Sequence, residues 1–231
     1  MNYPKYKIAS KDLFSQWEKK DNHKNKIFVR DGIIDYKKRL KSKKILVVLK
    51  EAYSDKNEVG SWNLPDLIDN KEFVLNMRHF QMLSYWLYVI YNASNKIPLK
   101  KLTPEILDKG YEYLLSSAIV NIKKSAGVST SDKKDLIAWA EKDRDFLNKQ
   151  IELINPEIIL CGYTCDILFK NIFQERNYKN LYVSHYCLKY RGMTIIDFWH
   201  PARKKGRELE FCKKLYDDYS DYLSRVNKNS K

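Results

Sequence analysis

Apolar residues along this chain gather into short unbroken runs, and helically spaced stretches lie between them. Ile45–Leu49, Ala118–Ile122, Glu157–Cys161 and Thr194–Phe198 are of strand length and lack the strict alternation of a half-solvated strand. Such runs predict parallel strands covered on both faces. Phe73, Met77, Phe80, Leu83, Leu87 and Ile90 recur at three- and four-residue steps and predict one helix over 73–92. Thr103-Pro104 opens a helix to about 115, with an N-cap and proline at the first helical position. Ser131 or Asp132 opens a long helix to about 153, Thr164 caps one from 165 to about 173, and an amphipathic helix fills 205–226. Near the start, Ser10–Lys20 reads as a helix with Leu13, Phe14 and Trp17 on one face, and Asp31-Gly32 as a hairpin turn. Lys50–Asp55 and Lys123–Gly127 read as loops, and Arg191-Gly192 as a tight turn between two strands. Strands alternating with helices make an α/β domain. The expectation is a three-layer α/β/α domain over 44–228 with a mostly parallel four-stranded central sheet, and 1–43 as an N-terminal extension packed on it.

Charge adds an argument about partners. Lys and Arg number 43 against 29 Asp and Glu, a net +14 in 231 residues. An excess of this size suits a polyanion, nucleic acid above all, although a lysine-rich solvated surface produces the same balance. Cys161, Cys165, Cys187 and Cys212 have no C-x-x-C spacing, which favours free thiols over a disulfide framework or a metal site. The N-terminus has no apolar signal region and no apolar stretch spans a membrane. A cytoplasmic monomer without metal or cofactor is expected. Neither G-x-G-x-x-G nor G-x-x-x-x-G-K-S/T occurs, which speaks against a small-molecule nucleotide enzyme using those loops.

Three polar residues stand at predicted strand ends: Glu51 after the first, Asn121 in the second, His200 after the last. The carboxyl edge of an open α/β sheet is where ligands bind. A carboxylate can activate water or stabilise a cation, an amide can read a base edge, and an imidazole can donate to a developing anion. Together they suit cleavage of an N-glycosidic bond, in which the sugar becomes cationic and the base leaves as an anion. Tyr53 and Trp62 offer rings for a flipped base. His23 reads as a surface residue, and His79 and His185 as structural.

The ordered pieces resemble the uracil-DNA glycosylase superfamily. Ile45–Tyr53, ILVVLKEAY, is similar to the first-motif strand and loop, whose forms include G-Q-D-P-Y-H and G-E-A-P-G. Ala118–Lys124, AIVNIKK, resembles the strand that carries the base-reading Asn, and Ile154–Ile167 the P-x-x-I-x-x-x-G-x-x-A strand–turn–helix. Trp199-His200-Pro201-Ala202 resembles the H-P-S/A motif. The resemblance implies a DNA glycosylase that hydrolyses the N-glycosidic bond of a flipped uracil or modified base and leaves an abasic site, in repair or anti-phage defence. It assigns Glu51 to the water or the sugar cation, Asn121 to the base edge, His200 to the leaving base and Tyr53 to the pocket wall. Lys50, Lys123, Lys124, Ser125, Arg203 and Lys204 fall to the DNA backbone. The sequence departs from the pattern at Lys50, where members carry Gly, at Ala52-Tyr53, which lacks the Pro, and at Arg203, in place of an apolar wedge. A catalytically silent module of the same fold that binds nucleic acid or a modified base is the alternative.

Overall fold

The computed structural model describes residues 2–53, 61–95, 99–127, 132–203 and 205–228. In chain order its elements are α1 (Tyr3–Trp17), β1 (Val29–Arg30), β2 (Gly32–Ile33), α2 (Tyr36–Arg39), β3 (Ile45–Tyr53), β4 (Trp62–Asn63), α3 (Leu64–Ile68), α4 (Lys71–Asn76) and α5 (Arg78–Asn92). There follow α6 (Pro104–Leu115), β5 (Ala118–Gly127), α7 (Lys133–Lys142), α8 (Arg144–Ile154), β6 (Ile158–Gly162), α9 (Cys165–Ile167), β7 (Cys187–Tyr190), β8 (Met193–Phe198) and α10 (Glu208–Lys228).

The chain is α/β, with a parallel-rich sheet in the order β2-β5-β3-β6-β8-β7. That is six strands among the described residues, where four were expected. β5, β3, β6 and β8 run parallel, while β2 and β7 join the edges antiparallel. Side chains of β3 alternate between two cores. Ile45, Val47 and Leu49 pack with residues of α5, α6 and α10, and Leu46 and Val48 with residues of α1, α7 and α8. Two buried faces explain why these strands carry continuous apolar runs.

Several sequence expectations are corrected. Asp31-Gly32 does not close a hairpin: β1 pairs with β4 and β2 with β5. The Asp31 side chain is buried in a polar cluster, which draws the chain across from one sheet to the other. The first helix starts at Tyr3 because Asn2, not Ser10, caps it, accepting from the Lys5 N–H. Residues 50–53 and 123–127 are strand rather than loop, since β3 and β5 pair as far as Tyr53 and Gly127. The 73–92 helix breaks at Met77, whose ψ of 112° is extended. The 132–153 helix breaks at Asp143, whose buried carboxylate is drawn to the N-terminal segment. Thr164 caps nothing; its hydroxyl donates to the Val48 carbonyl at 2.8 Å and ties β6 to β3. Residues 1–43 supply a covering helix and an edge strand of the same sheet, with Trp17 and Phe28 fully buried. No helix among the described residues is long and apolar enough to cross a membrane.

Candidate active site at the carboxyl edge of the sheet

β3 lies between β5 and β6, so the strand order reverses on either side of it. In doubly wound sheets the crevice forms at the carboxyl ends of the strands flanking such a reversal. Here that point is Lys50-Glu51 on β3 and Gly162-Tyr163 after β6. Gly162 shows how tightly the pieces meet. A β-carbon there would stand 2.7 Å from Leu49 Cδ2 and 3.4 Å from Pro201 Cδ. The absent side chain lets His200-Pro201 close over the ends of β3 and β6. The next residue, Tyr163, turns the chain in the left-handed region at φ 63° and donates its N–H to Phe198 at 2.8 Å.

His200 is half-buried where the last parallel strand ends. Its Nδ1 accepts the Ala202 N–H at 3.2 Å. In a neutral ring that assigns the proton to Nε2, which is left as a donor. Burial, then the Lys50 and His79 charges, push the His200 imidazole down to about 4, so the ring is neutral at pH 7. Burial pushes His79 down to about 4 as well. Arg78 holds the turn from outside: its guanidinium donates to the carbonyls of Ala202 at 2.9 Å and Arg203 at 3.0 Å, and pairs with Glu208. Arg78 and His79 reach the site because the helix break at Met77 sets them at the start of α5. The uninterrupted helical spacing of the sequence conceals that break.

Glu51 sits at the same edge, its side chain 6% exposed, with Oε2 3.0 Å from Lys123 Nζ. Lys123 also donates to Asp135 at 2.8 Å. Burial pulls the Lys123 ammonium down, but Asp135 and Glu51 outweigh it and hold it above its ordinary value. Gly127 is the floor under Glu51, since a β-carbon there would collide with the carboxylate. Trp62 is half-buried against the α5-side core, and its indole N–H has no hydrogen-bond partner among the described residues.

Three expected contacts with nucleic acid are corrected. Lys124 is fully buried, 2.5 Å from Asp31, with its ammonium 5.0 Å from the Trp17 ring. Ser125 is buried and bonds His23 at 2.9 Å. Neither meets a phosphate from there. Asn121, 2% exposed, donates its backbone N–H at 2.8 Å and its side-chain amide at 3.2 Å to the same Asp31, so it does not face the crevice. Gln150 completes that cluster with a 2.8 Å bond to Asp31. His23, read as a surface residue, is 2% exposed, and its Nε2–H donates to Asp143 at 2.8 Å.

The structure therefore brings Glu51, Lys123, His200 and His79 to one edge, and takes Asn121, Lys124 and Ser125 away from it. Lys50 lies over the Tyr163 ring at 5.1 Å, and burial lowers its ammonium. Arg203 lies over Trp199 at 5.4 Å. The Tyr53 side chain, Lys204 and residues 128–131 lie outside the described residues. No protein-family model matches the chain, and no curated protein matches it in sequence.

Proposed function

We propose that this chain is a DNA glycosylase of the uracil-DNA glycosylase type, with a three-layer core and four parallel strands at its centre, acting on a flipped uracil or modified base. The observation that carries the reading is His200: neutral, with Nδ1 occupied by the Ala202 N–H and Nε2–H free to donate, at the ligand-binding edge of the sheet. A neutral donor is what a departing base anion needs, because it stabilises negative charge without having to surrender a proton. Glu51 stands at the end of β3, with β6 between it and the strand of His200, and is held by Lys123 to stabilise the sugar cation or orient the attacking water. The net charge of +14 supplies attraction to the duplex. Base recognition falls to groups other than Asn121, which fits a base other than uracil.

The test is incision. Duplexes bearing uracil, hydroxymethylated or glucosylated cytosine, or an alkylated base are incubated with the protein, and abasic sites are cleaved with alkali. Cleavage of at least one is expected. His200→Ala should lower its rate by about 10²–10³-fold and Glu51→Gln by about 10²–10⁴-fold. Full activity in both variants overturns the site; no cleavage of any duplex overturns the activity.

The Glu51–Lys123 ion pair favours a second reading, a module of this fold that holds DNA or a modified base without cutting it. That reading expects salt-sensitive DNA binding together with no incision.

A further inference from the structure

Beside the His200 edge, a cleft of about 700 Å³ opens at the carboxyl ends of β6 and β8. Its size is that of small-molecule sites, which fall in the range of about 300–1,000 Å³. The proposed glycosylase chemistry makes no use of it.

Tyr163 is the first unusual feature of the cleft. It is 61% exposed and holds φ 63°, a conformation in which glycine would be the unstrained choice. No core packing explains a tyrosine there; the described contact of its ring is with the Lys50 ammonium. An exposed ring at a strand's carboxyl end is a stacking platform. Asp197 is the second feature. It lines the cleft and accepts the Tyr182 hydroxyl at 2.6 Å. Burial and Asp197 push the Tyr182 phenol up, so it remains a donor. Among the described residues no lysine or arginine forms an ion pair with Asp197, and Lys179 attracts it only from farther off. Its neighbour Asp166, by contrast, takes Lys170 at 2.9 Å, Lys133 at 3.6 Å and the Tyr178 hydroxyl at 2.7 Å. Asp197 thus retains acceptor capacity toward a ligand donor. The third feature is cationic: Lys50, Lys133 and Lys179 all line the cleft.

We propose that this cleft binds a nucleotide whose base carries an exocyclic amino group, with the base on Tyr163, the amino group on Asp197 and the phosphate among the three lysines. The same chemistry is offered by a free nucleotide and by one nucleotide of a single strand. The site does not depend on the glycosylase reading.

Calorimetric titration of the full chain with dAMP, dCMP and dTMP at low salt tests it. dAMP and dCMP should bind about tenfold tighter than dTMP, the worth of one hydrogen bond to a charged acceptor. Asp197→Asn should erase that preference. Tyr163→Gly should weaken all three about tenfold while the Tm stays level or rises, because glycine accepts the left-handed turn. That combination separates a ligand role from a structural one. His200→Ala should leave every affinity unchanged, so loss of incision and loss of nucleotide binding are read separately. If mononucleotides are silent, an all-thymidine oligonucleotide is compared with the same strand carrying one adenosine. A preference for adenosine that Asp197→Asn removes assigns the strand as the source. Equal affinities throughout, or no preference in either arm, overturns the proposal.

Discussion

Two polar clusters, one beside β5 and one across the carboxyl ends of β3 and β8, are built on different terms. In the cluster around Asp31, Lys124, Gln150 and Asn121 all bond one carboxylate, and His23 bridges Ser125 to Asp143. These groups are buried, and apart from Gln150 Oε1 they are satisfied within the chain. At the His200 edge, among the described residues, His200 has no partner on Nε2–H, and one Glu51 oxygen has an ion pair but no hydrogen bond of good geometry. The first cluster commits its polar groups to the fold, and the second is where the proposed substrate would meet them. Burial alone does not separate the two. The carboxylates do: both Asp31 oxygens are hydrogen-bonded, whereas Glu51 Oε2 has its ion pair alone.

The largest effect should come from the closed cluster. Lys124→Met leaves Asp31 charged and buried without its cation, which costs about 3–5 kcal/mol. Lys50→Met at the open edge should cost under about 0.5 kcal/mol. Urea midpoints of the two variants give the contrast directly. Equal losses would mean that the two regions are not built differently.

Acid should find the closed cluster next. Burial works to raise the Asp143 carboxyl, but hydrogen bonds from His23 and Lys20 outweigh it and hold it at about 2. A carboxyl depressed below its unfolded value near 4 adds stability that is complete above that value and is lost as pH falls through the folded one. The loss should amount to about 2 kcal/mol between pH 4 and pH 2. Asp143→Asn should flatten that limb of the stability profile while lowering stability at pH 7. A limb unchanged in the variant would assign the acid sensitivity elsewhere.

The sequence displayed one cluster and concealed the other. The parallel strands were legible because strands covered on both faces leave unbroken apolar runs, and His200-Pro201 was legible because proline ends a strand where ligands bind. Lys123 and Lys124 look alike in sequence, yet one reaches Glu51 and the other is buried on Asp31. Both lie on the part of β5 that runs on to Gly127, and which carboxylate each meets is set by Glu51 on β3 and Asp31 before β2, far away in sequence. His23 sits among Lys20, Asp21, Asn22 and Lys24 and so reads as surface. Its partner Asp143 lies 120 residues away, beyond any local pattern. Arg78 and His79 were hidden for the same reason, since a tertiary break at Met77 interrupts a helical spacing that the sequence carries through.

The smallest effect is the most discriminating for the open edge. His200 is lowered to about 4 chiefly by burial and then by Lys50 and His79. Removing a nearby cation favours the imidazolium, so Lys50→Met should raise the His200 titration midpoint while leaving it below its ordinary 6.5, because burial persists. Ring-proton NMR against pH reads this directly. If a neutral His200 donates to the leaving base, the acid limb of any incision activity must move up with it. The rate at pH 7 should barely change, since the ring is neutral there in both proteins. A midpoint that moves while the acid limb of incision stays still would separate His200 from the chemistry and leave it as a residue that only closes the His-Pro turn.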